Sequence, residues 1–164
     1  MIDISACLNR IDYRGSTQPT LETLRGIHRA HLLTVPFENL DIHRNKPIVL
    51  NEAVLFEKIV VNRRGGYCYE LNGLLASLLR AMGFDVTIFS SNVIHGGIPA
   101  EIDHLTLLIQ LDDRWIVDVG FGDSSRLPLR LVEGENQFGV DSTYRFMRSD
   151  HRWLLQRLLE TNEW

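Results

Sequence analysis

Cys68 has the sequence context that most favours nucleophilic chemistry. It directly follows Gly65-Gly66-Tyr67 and precedes an apolar run with helical spacing, Leu71 to Met82. A thiol at a helix N-terminus meets unpaired backbone N–H groups and the positive end of the helix dipole, which favour thiolate and could hold an oxyanion. The alternative is that Cys68 is a small buried apolar residue, as most cysteines outside disulfides are. The other cysteine, Cys7, lies in a polar segment without such features.

Six histidines could supply the base that a cysteine nucleophile needs. His104 opens one predicted strand and Asp118 closes the next, so we expect both at one end of a hairpin. The alternative for His104 is a strand-edge residue that faces water. His28 and His31 are helical neighbours without further ligands nearby, so we expect them to pack or face water rather than bind metal.

The turn at Asp112-Asp113 decides whether His104 and Asp118 can meet. A two-residue turn would place Asp118 on the opposite face of the sheet from His104, because side chains alternate along a strand. One additional residue in the turn places Asp118 opposite Thr106, diagonal to His104 and on the same face. We predict this irregular register because the catalytic pair requires it.

The elements that would hold these residues change type along the chain. Apolar periodicity after Pro19-Thr20, the N-cap candidate Asn51, Pro36 and Gly83 predict helices at 21–35, 52–61 and 71–82. Apolar and β-branched runs predict strands at 86–89, 105–109 and 114–119. The stretch 143–159 fits either a hairpin turning at Ser149-Asp150-His151 or a helix. This order predicts an α+β fold, with a helical domain at 1–84 and a strand domain at 85–164.

Length and composition exclude several classes of protein. The 164 residues, 45% of them apolar, suffice for one compact domain or two small ones that share a core. A net charge of −4 offers no basic surface for nucleic acid or an anionic membrane, and no apolar run is long enough to span a bilayer. With two cysteines and no signal-peptide pattern at the N-terminus, we expect a cytoplasmic, reduced protein.

Three sequence blocks, taken together, resemble the arylamine N-acetyltransferases across nearly the whole chain. They are Val35-Pro36-Phe37-Glu38-Asn39-Leu40-Asp41-Ile42, Arg64-Gly65-Gly66-Tyr67-Cys68-Tyr69-Glu70-Leu71-Asn72-Gly73-Leu74 and Trp115-Ile116-Val117-Asp118-Val119-Gly120-Phe121-Gly122. The resemblance implies a helical bundle, an antiparallel β-barrel-like domain and a cysteine-protease-like triad core of Cys68, His104 and Asp118.

The resemblance also implies the reaction and its co-substrate. Acetyl-CoA would acetylate the cysteine, and an arylamine, arylhydroxylamine or hydrazine would then take the acetyl group from the thioester. No tightly bound cofactor or metal is expected. A thioester intermediate divides one acyl transfer into two easier steps.

Further residues match ligand-binding positions of the family. Phe37, Tyr67, Val93 and Phe121 match the apolar lining of the acceptor pocket, with ordinary core packing as the alternative. Gly120 and Gly122 match a loop that approaches CoA, with a plain turn as the alternative. Members usually continue with small residues, whereas Asp123 here brings an acidic group to the expected CoA entrance.

The sequence ends at Trp164, before the third, lid-like domain that the family carries. We expect a fragment, a natural short form, or a chain that pairs with another copy through the surface the lid would cover. The predicted function is arylamine N-acetylation. The alternatives are an acyl-CoA thioesterase, another acyl transfer by the same triad such as amide-bond closure, or an inactive domain that only binds a ligand or partner.

Overall fold

A computed structural model describes residues 2–95, 98–99, 104–122 and 124–164, and its first half is helical. The helices are α1 (Ile4–Arg10), α2 (Leu21–Thr34), α3 (Leu40–His43), α4 (Glu52–Phe56), a π-helix (Glu57–Val61) and α5 (Cys68–Ala81). Thr20 caps α2 and Asn51 caps α4, each accepting a backbone N–H three residues on, and the cap at Asn51 was predicted. Gly83 follows α5 with φ +91°, the left-handed conformation expected just after a helix.

Antiparallel strands make up the second half. They are β1 (Asp85–Ser91), β2 (Ile94–His95), β3 (Ile98–Pro99), β4 (His104–Gln110), β5 (Arg114–Val117), β6 (Leu129–Arg130), β7 (Gln137–Phe138), β8 (Thr143–Ser149) and β9 (Arg152–Arg157). They form sheets ordered β1-β4-β5-β6, β2-β3 and β7-β8-β9. The helix-then-strand order is confirmed. A closed barrel is not: no closed sheet occurs within the described ranges, because the three sheets have no ladder in common.

The register between β4 and β5 is the irregular one predicted from the sequence. Leu107 pairs with Val117 and Gln110 pairs with Arg114, so three residues, 111–113, form the turn. The Leu111 N–H donates to the carbonyl of Asp113 and closes this turn. The step beyond Leu107–Val117 sets Asp118 against Thr106, on the face of the sheet that carries His104.

One hydrophobic cluster joins the helices to the first sheet. Leu75 and Leu79 of α5 pack in the same buried cluster as Leu107 of β4 and Val117 of β5. Apolar burial of this kind is the main favourable term in folding, and here it fixes α5 against the sheet. The domain boundary near residue 85 stays a prediction, since this core lies on both sides of it.

The ambiguous stretch 143–159 is a hairpin. Strands β8 and β9 pair from Tyr144–Arg157 to Ser149–Arg152, and Asp150 turns the chain with φ +52°. Trp153 stacks edge-on against Phe146 and fixes this pairing. No helix in the described part of the chain is long and apolar enough to cross a membrane.

Candidate active site

Three elements bring Cys68, His104 and Asp118 together. Cys68 is the first residue of α5, His104 is the first residue of β4, and Asp118 directly follows β5. Cys68 and His104 are buried, and Asp118 is half-buried. Because α5 packs on the sheet, its N-terminus lies over the end of the sheet where strand β4 begins and strand β5 ends.

His104 lies between the other two side chains. Its Nε2 donates to Asp118 Oδ2 over 2.6 Å. The imidazole also hydrogen-bonds the side chain of Cys68, and since Nε2 is held by Asp118, Nδ1 is the nitrogen available to the sulfur. An arrangement of this order, thiol to imidazole to carboxylate, can activate a thiol as a nucleophile.

The surroundings favour a protonated imidazole. Burial opposes the charged form of His104, but hydrogen bonds to Asp118 and Cys68, together with their charges, raise its pKa to about 10. The imidazolium of His104 therefore stays charged at neutral pH, and it lies next to the sulfur of Cys68. Burial, with smaller contributions from Asp3 and Glu52, raises the pKa of Cys7 to about 12, so that thiol stays protonated.

Asn72 is a site residue that the sequence analysis missed. Its Nδ2 donates to Asp118 Oδ1 over 2.9 Å and to the Leu105 carbonyl over 2.7 Å, and its Oδ1 accepts the Val119 N–H over 2.9 Å. Asn72 is completely buried. The available signal was an asparagine four residues after Cys68, within an otherwise apolar helix face.

His28, on a different helix, contacts the same strand end. It is almost completely buried in α2, and its Nε2 donates to the Asp118 carbonyl over 2.9 Å. Of the two roles expected for His28 and His31, packing or facing water, their burial agrees with packing. No group of three or more potential metal ligands occurs in the described ranges.

The two glycines after Asp118 differ sharply in their surroundings. Gly120 is buried, and a Cβ there would lie 2.5 Å from Cys68 Cα and 2.9 Å from Cys68 Cβ. Its N–H donates to Asp118 Oδ1 over 2.9 Å. A Cβ at Gly122 would meet nothing within 4 Å, and this residue is exposed. Gly120 thus packs against Cys68, a contact that the sequence analysis did not predict.

The loop before Cys68 is attached to the segment that follows α2. Phe37 and Gly66 form a parallel bridge, and the Glu38 N–H donates to the Gly66 carbonyl over 2.9 Å. A Cβ at Gly65 would lie 1.9 Å from the Pro36 carbonyl oxygen. Glycine is therefore required at position 65 by this close approach of two backbones.

The four residues matched to the acceptor pocket differ in how closely they approach this site. Phe121 stacks edge-on against His104, with ring centroids 5.2 Å apart. Tyr67 precedes Cys68, and Phe37 is more than half exposed beside Gly66. Val93 is half-buried two residues after Ser91, the strand partner of His104. Asp123, expected at the CoA entrance, lies outside the described residues.

Comparison with known proteins points to one family. The family model for N-acetyltransferase matches residues 20–164. The chain is 39% identical to the pineal gland arylamine N-acetyltransferase of Gallus gallus, covering 96% of this chain and 57% of that protein. It is 42% identical to the arylamine N-acetyltransferase / N-hydroxyarylamine O-acetyltransferase of Salmonella typhimurium, covering 93% and 56%.

Solved structures agree with the sequence matches. Arylamine N-acetyltransferase from Salmonella typhimurium superposes with a TM-score of 0.91 at 39% identity, covering 96% of this chain and 59% of that one. The Mycobacterium marinum enzyme in complex with CoA gives 0.92 at 35% identity, covering 99% and 62%. The chain thus spans a little over half the length of these relatives, and it belongs to the arylamine N-acetyltransferase family.

Proposed function

We propose that this chain carries the acetyl-transfer site of an acetyl-CoA-dependent arylamine N-acetyltransferase. The observation that carries the proposal is the imidazole of His104, hydrogen-bonded on one side to Asp118 and on the other to Cys68. Family membership supplies the substrate class, since the matched relatives are named for arylamine N-acetylation and one was solved with CoA.

In the first half-reaction, Cys68 Sγ attacks the carbonyl carbon of acetyl-CoA. The new carbon–sulfur bond forms as the bond to the CoA sulfur breaks, and the imidazolium of His104 gives its proton to the departing CoA thiolate. N–H groups in the first turn of α5 would stabilise the oxyanion that forms on the acetyl oxygen. The products are CoA and an acetyl thioester on Cys68.

In the second half-reaction, the neutral amine nitrogen attacks the thioester carbon. His104 takes the amine proton while the bond to Cys68 Sγ breaks, which restores the thiolate and the imidazolium. Asp118 keeps the imidazole in the orientation that both proton transfers require, and Asn72 keeps Asp118 in place. A reducing compartment such as the cytoplasm would keep the thiol available.

The proposed ligand sites surround this centre. Phe121, which already stacks on His104, would face the arylamine ring together with Phe37, Tyr67 and Val93. Gly122 is open to solvent and leaves room for the pantetheine arm of CoA. Gly120 would contribute backbone to the CoA site and also bring that backbone against Cys68.

Intact mass spectrometry tests the proposal directly. The purified chain is mixed with acetyl-CoA, with and without an arylamine, beside a Cys68→Ser control. We expect one acetyl group on the unmodified chain only, and its loss when arylamine is added. Loss of the acetyl group at the same rate without arylamine would instead indicate a thioesterase. A folded chain that gains no acetyl group would indicate a domain that only binds a ligand or partner.

A further inference from the structure

Behind the nucleophile lies a cluster of charged residues that the proposed reaction does not use. Its centre is Lys58, in the π-helix, with its side chain 10% exposed. The Lys58 ammonium lies 2.7 and 2.8 Å from the two oxygens of Glu70, 3.0 Å from Asp41 and 3.7 Å from Glu38. A lysine side chain that is only 10% exposed loses most of its hydration, and its three carboxylate neighbours offset that cost.

The cluster is connected to the loop that precedes Cys68. Arg64 bonds both oxygens of Asp41 over 2.9 Å and Glu38 over 2.6 Å. Lys46, which is exposed, approaches Asp41 to 3.9 Å from outside. Hydrogen bonds from Arg64 and Lys58 lower the pKa of Asp41 to about 2, so its carboxylate stays ionised over the working pH range.

Glu70 links the cluster to the first turn of α5. It is two residues from Cys68, buried, and its Oε2 accepts the Tyr67 N–H over 3.1 Å. A carboxylate at this position favours the helix start, yet its negative charge opposes a thiolate two residues away. The Lys58 ammonium lies directly on that carboxylate and cancels its charge.

The influence of this pair extends to the residue before the nucleophile. The pKa of the Tyr67 phenol is raised first by burial, then by the charges of Glu70, Cys68 and Tyr69, whereas Lys58 lowers it. On the sheet side, the charged groups that interact with each other and with Cys68 are His104 and Asp118. Lys58 is thus the cation that pairs with Glu70, the acidic residue in the first turn of α5.

We propose that Lys58 is a positioning residue for the acetyl transfer, which holds Glu70 against the start of α5 and cancels its charge, so that Cys68 reacts at neutral pH. The inference rests on the proposed role of Cys68 as the nucleophile. At an effective dielectric constant near 20, a unit charge roughly 10 Å from a titrating group shifts the midpoint of its titration by about one pH unit.

The test is the pH dependence of Cys68 alkylation by iodoacetamide, which needs no acetyl-CoA. Lys58→Met leaves Glu70 unpaired, so we expect the midpoint of the pH–rate curve to move about one unit toward alkaline pH. Glu70→Gln removes the negative charge and should move the midpoint toward acid pH. Lys58→Arg should keep the original midpoint, and the double variant Lys58→Met with Glu70→Gln should return close to it.

A matched control removes a cation from the other end of the same sheet. Arg130 bonds Asp113 and Glu135 and pairs with Trp115 at the start of β5, whereas Asp118 follows its end. Arg130→Met should leave the midpoint unchanged. A purely structural role for Lys58 would lower the thermal midpoint and leave the alkylation curve in place, and this result would overturn the proposal.

Two further outcomes keep the test decisive. If Lys58→Met does not fold, an unmoved curve for Glu70→Gln contradicts the proposal by itself, because that variant keeps an acceptor for the Tyr67 N–H. If the unmodified chain alkylates normally but gains no acetyl group from acetyl-CoA, the proposed function fails while the alkylation curves still test Lys58.

Discussion

The contact between Gly120 and Cys68 leads to a prediction about both stability and rate. In Gly120→Ala, the new Cβ would lie 2.5 Å from Cys68 Cα, 2.9 Å from Cys68 Cβ and 3.0 Å from Asn72 Nδ2. Two of these neighbours cannot rotate away, because Cα belongs to the backbone and Cβ is attached to it. The strand end and the start of α5 must therefore separate.

The expected magnitude follows from the geometry. Overpacking of a buried site costs about 1–3 kcal/mol, and a backbone clash should fall near the upper value. A displacement of about 1 Å between the sulfur and the imidazole could lower the rate of acetylation about 100-fold. The matched variant Gly122→Ala adds the same methyl group in open space, and its unfolding free energy should stay within about 0.5 kcal/mol of the parent.

Urea unfolding and single-turnover acetylation measure the two effects. Gly120→Ala should lose both stability and acetylation rate, and Gly122→Ala should keep its stability while raising the KM for acetyl-CoA if position 122 faces CoA. If Gly120→Ala unfolds at the same urea concentration as the parent and is acetylated equally fast, the tight packing of Gly120 on Cys68 is refuted.

Three further predictions concern the groups around the site. Asn72→Ala removes the side-chain partner of the Leu105 carbonyl and of the Val119 N–H. Urea unfolding should show that the free energy of unfolding falls by about 1–3 kcal/mol, and acetylation should become slower. An unchanged free energy of unfolding and an unchanged rate would contradict the role of Asn72 in holding the strand end. The pKa of His104 is raised from 6.5 to about 10, so its contribution to stability is complete below pH 6.5 and is lost as the pH rises through about 10. Urea titrations across this window should show that loss in the parent and not in His104→Gln. The buried guanidinium of Arg10 donates to four backbone carbonyls, those of Ile59, Thr34, Arg63 and Arg64. Arg10→Met should therefore lower the free energy of unfolding by more than about 3 kcal/mol, as measured in urea. A smaller loss would mean that water replaces these hydrogen bonds.

Local signals in the sequence were sufficient for the long helices α2 and α5 and for the existence of strands β1, β4 and β5, but not for α1, α3 or β6. The start of α2 after Thr20 and the end of α5 before Gly83 depend on capping and backbone conformation within a few residues. The observed register of β4 and β5 is the predicted one. That prediction was made from the requirement that His104 and Asp118 lie on the same face of the sheet. A chemical hypothesis therefore resolved what the turn sequence left open.

The stretch 143–159 shows where local signals fail. Trp153 and Leu154 fit a helix face as well as a strand, because short apolar runs are compatible with both periods. Pairing of β8 with β9 and the contact of Trp153 with Phe146 decide in favour of the hairpin. These contacts depend on which segments meet, a property that no short window of sequence contains. The barrel-like domain that the resemblance implied is likewise not found as a closed sheet in the described ranges, and sheet closure also depends on which strands meet.

The sequence by itself indicated which side chains the candidate site combines: a cysteine at a helix start, and a histidine and an aspartate at one end of a hairpin. Only the tertiary structure decided what holds them. Asn72 reaches Asp118 across 46 residues of chain, and His28 reaches it across 90. Both are polar residues on buried helix faces, whose partners are set by how α2 and α5 pack on the sheet. Packing of apolar surface is non-directional, so sequence patterns predict that a face is buried but not which atoms it meets.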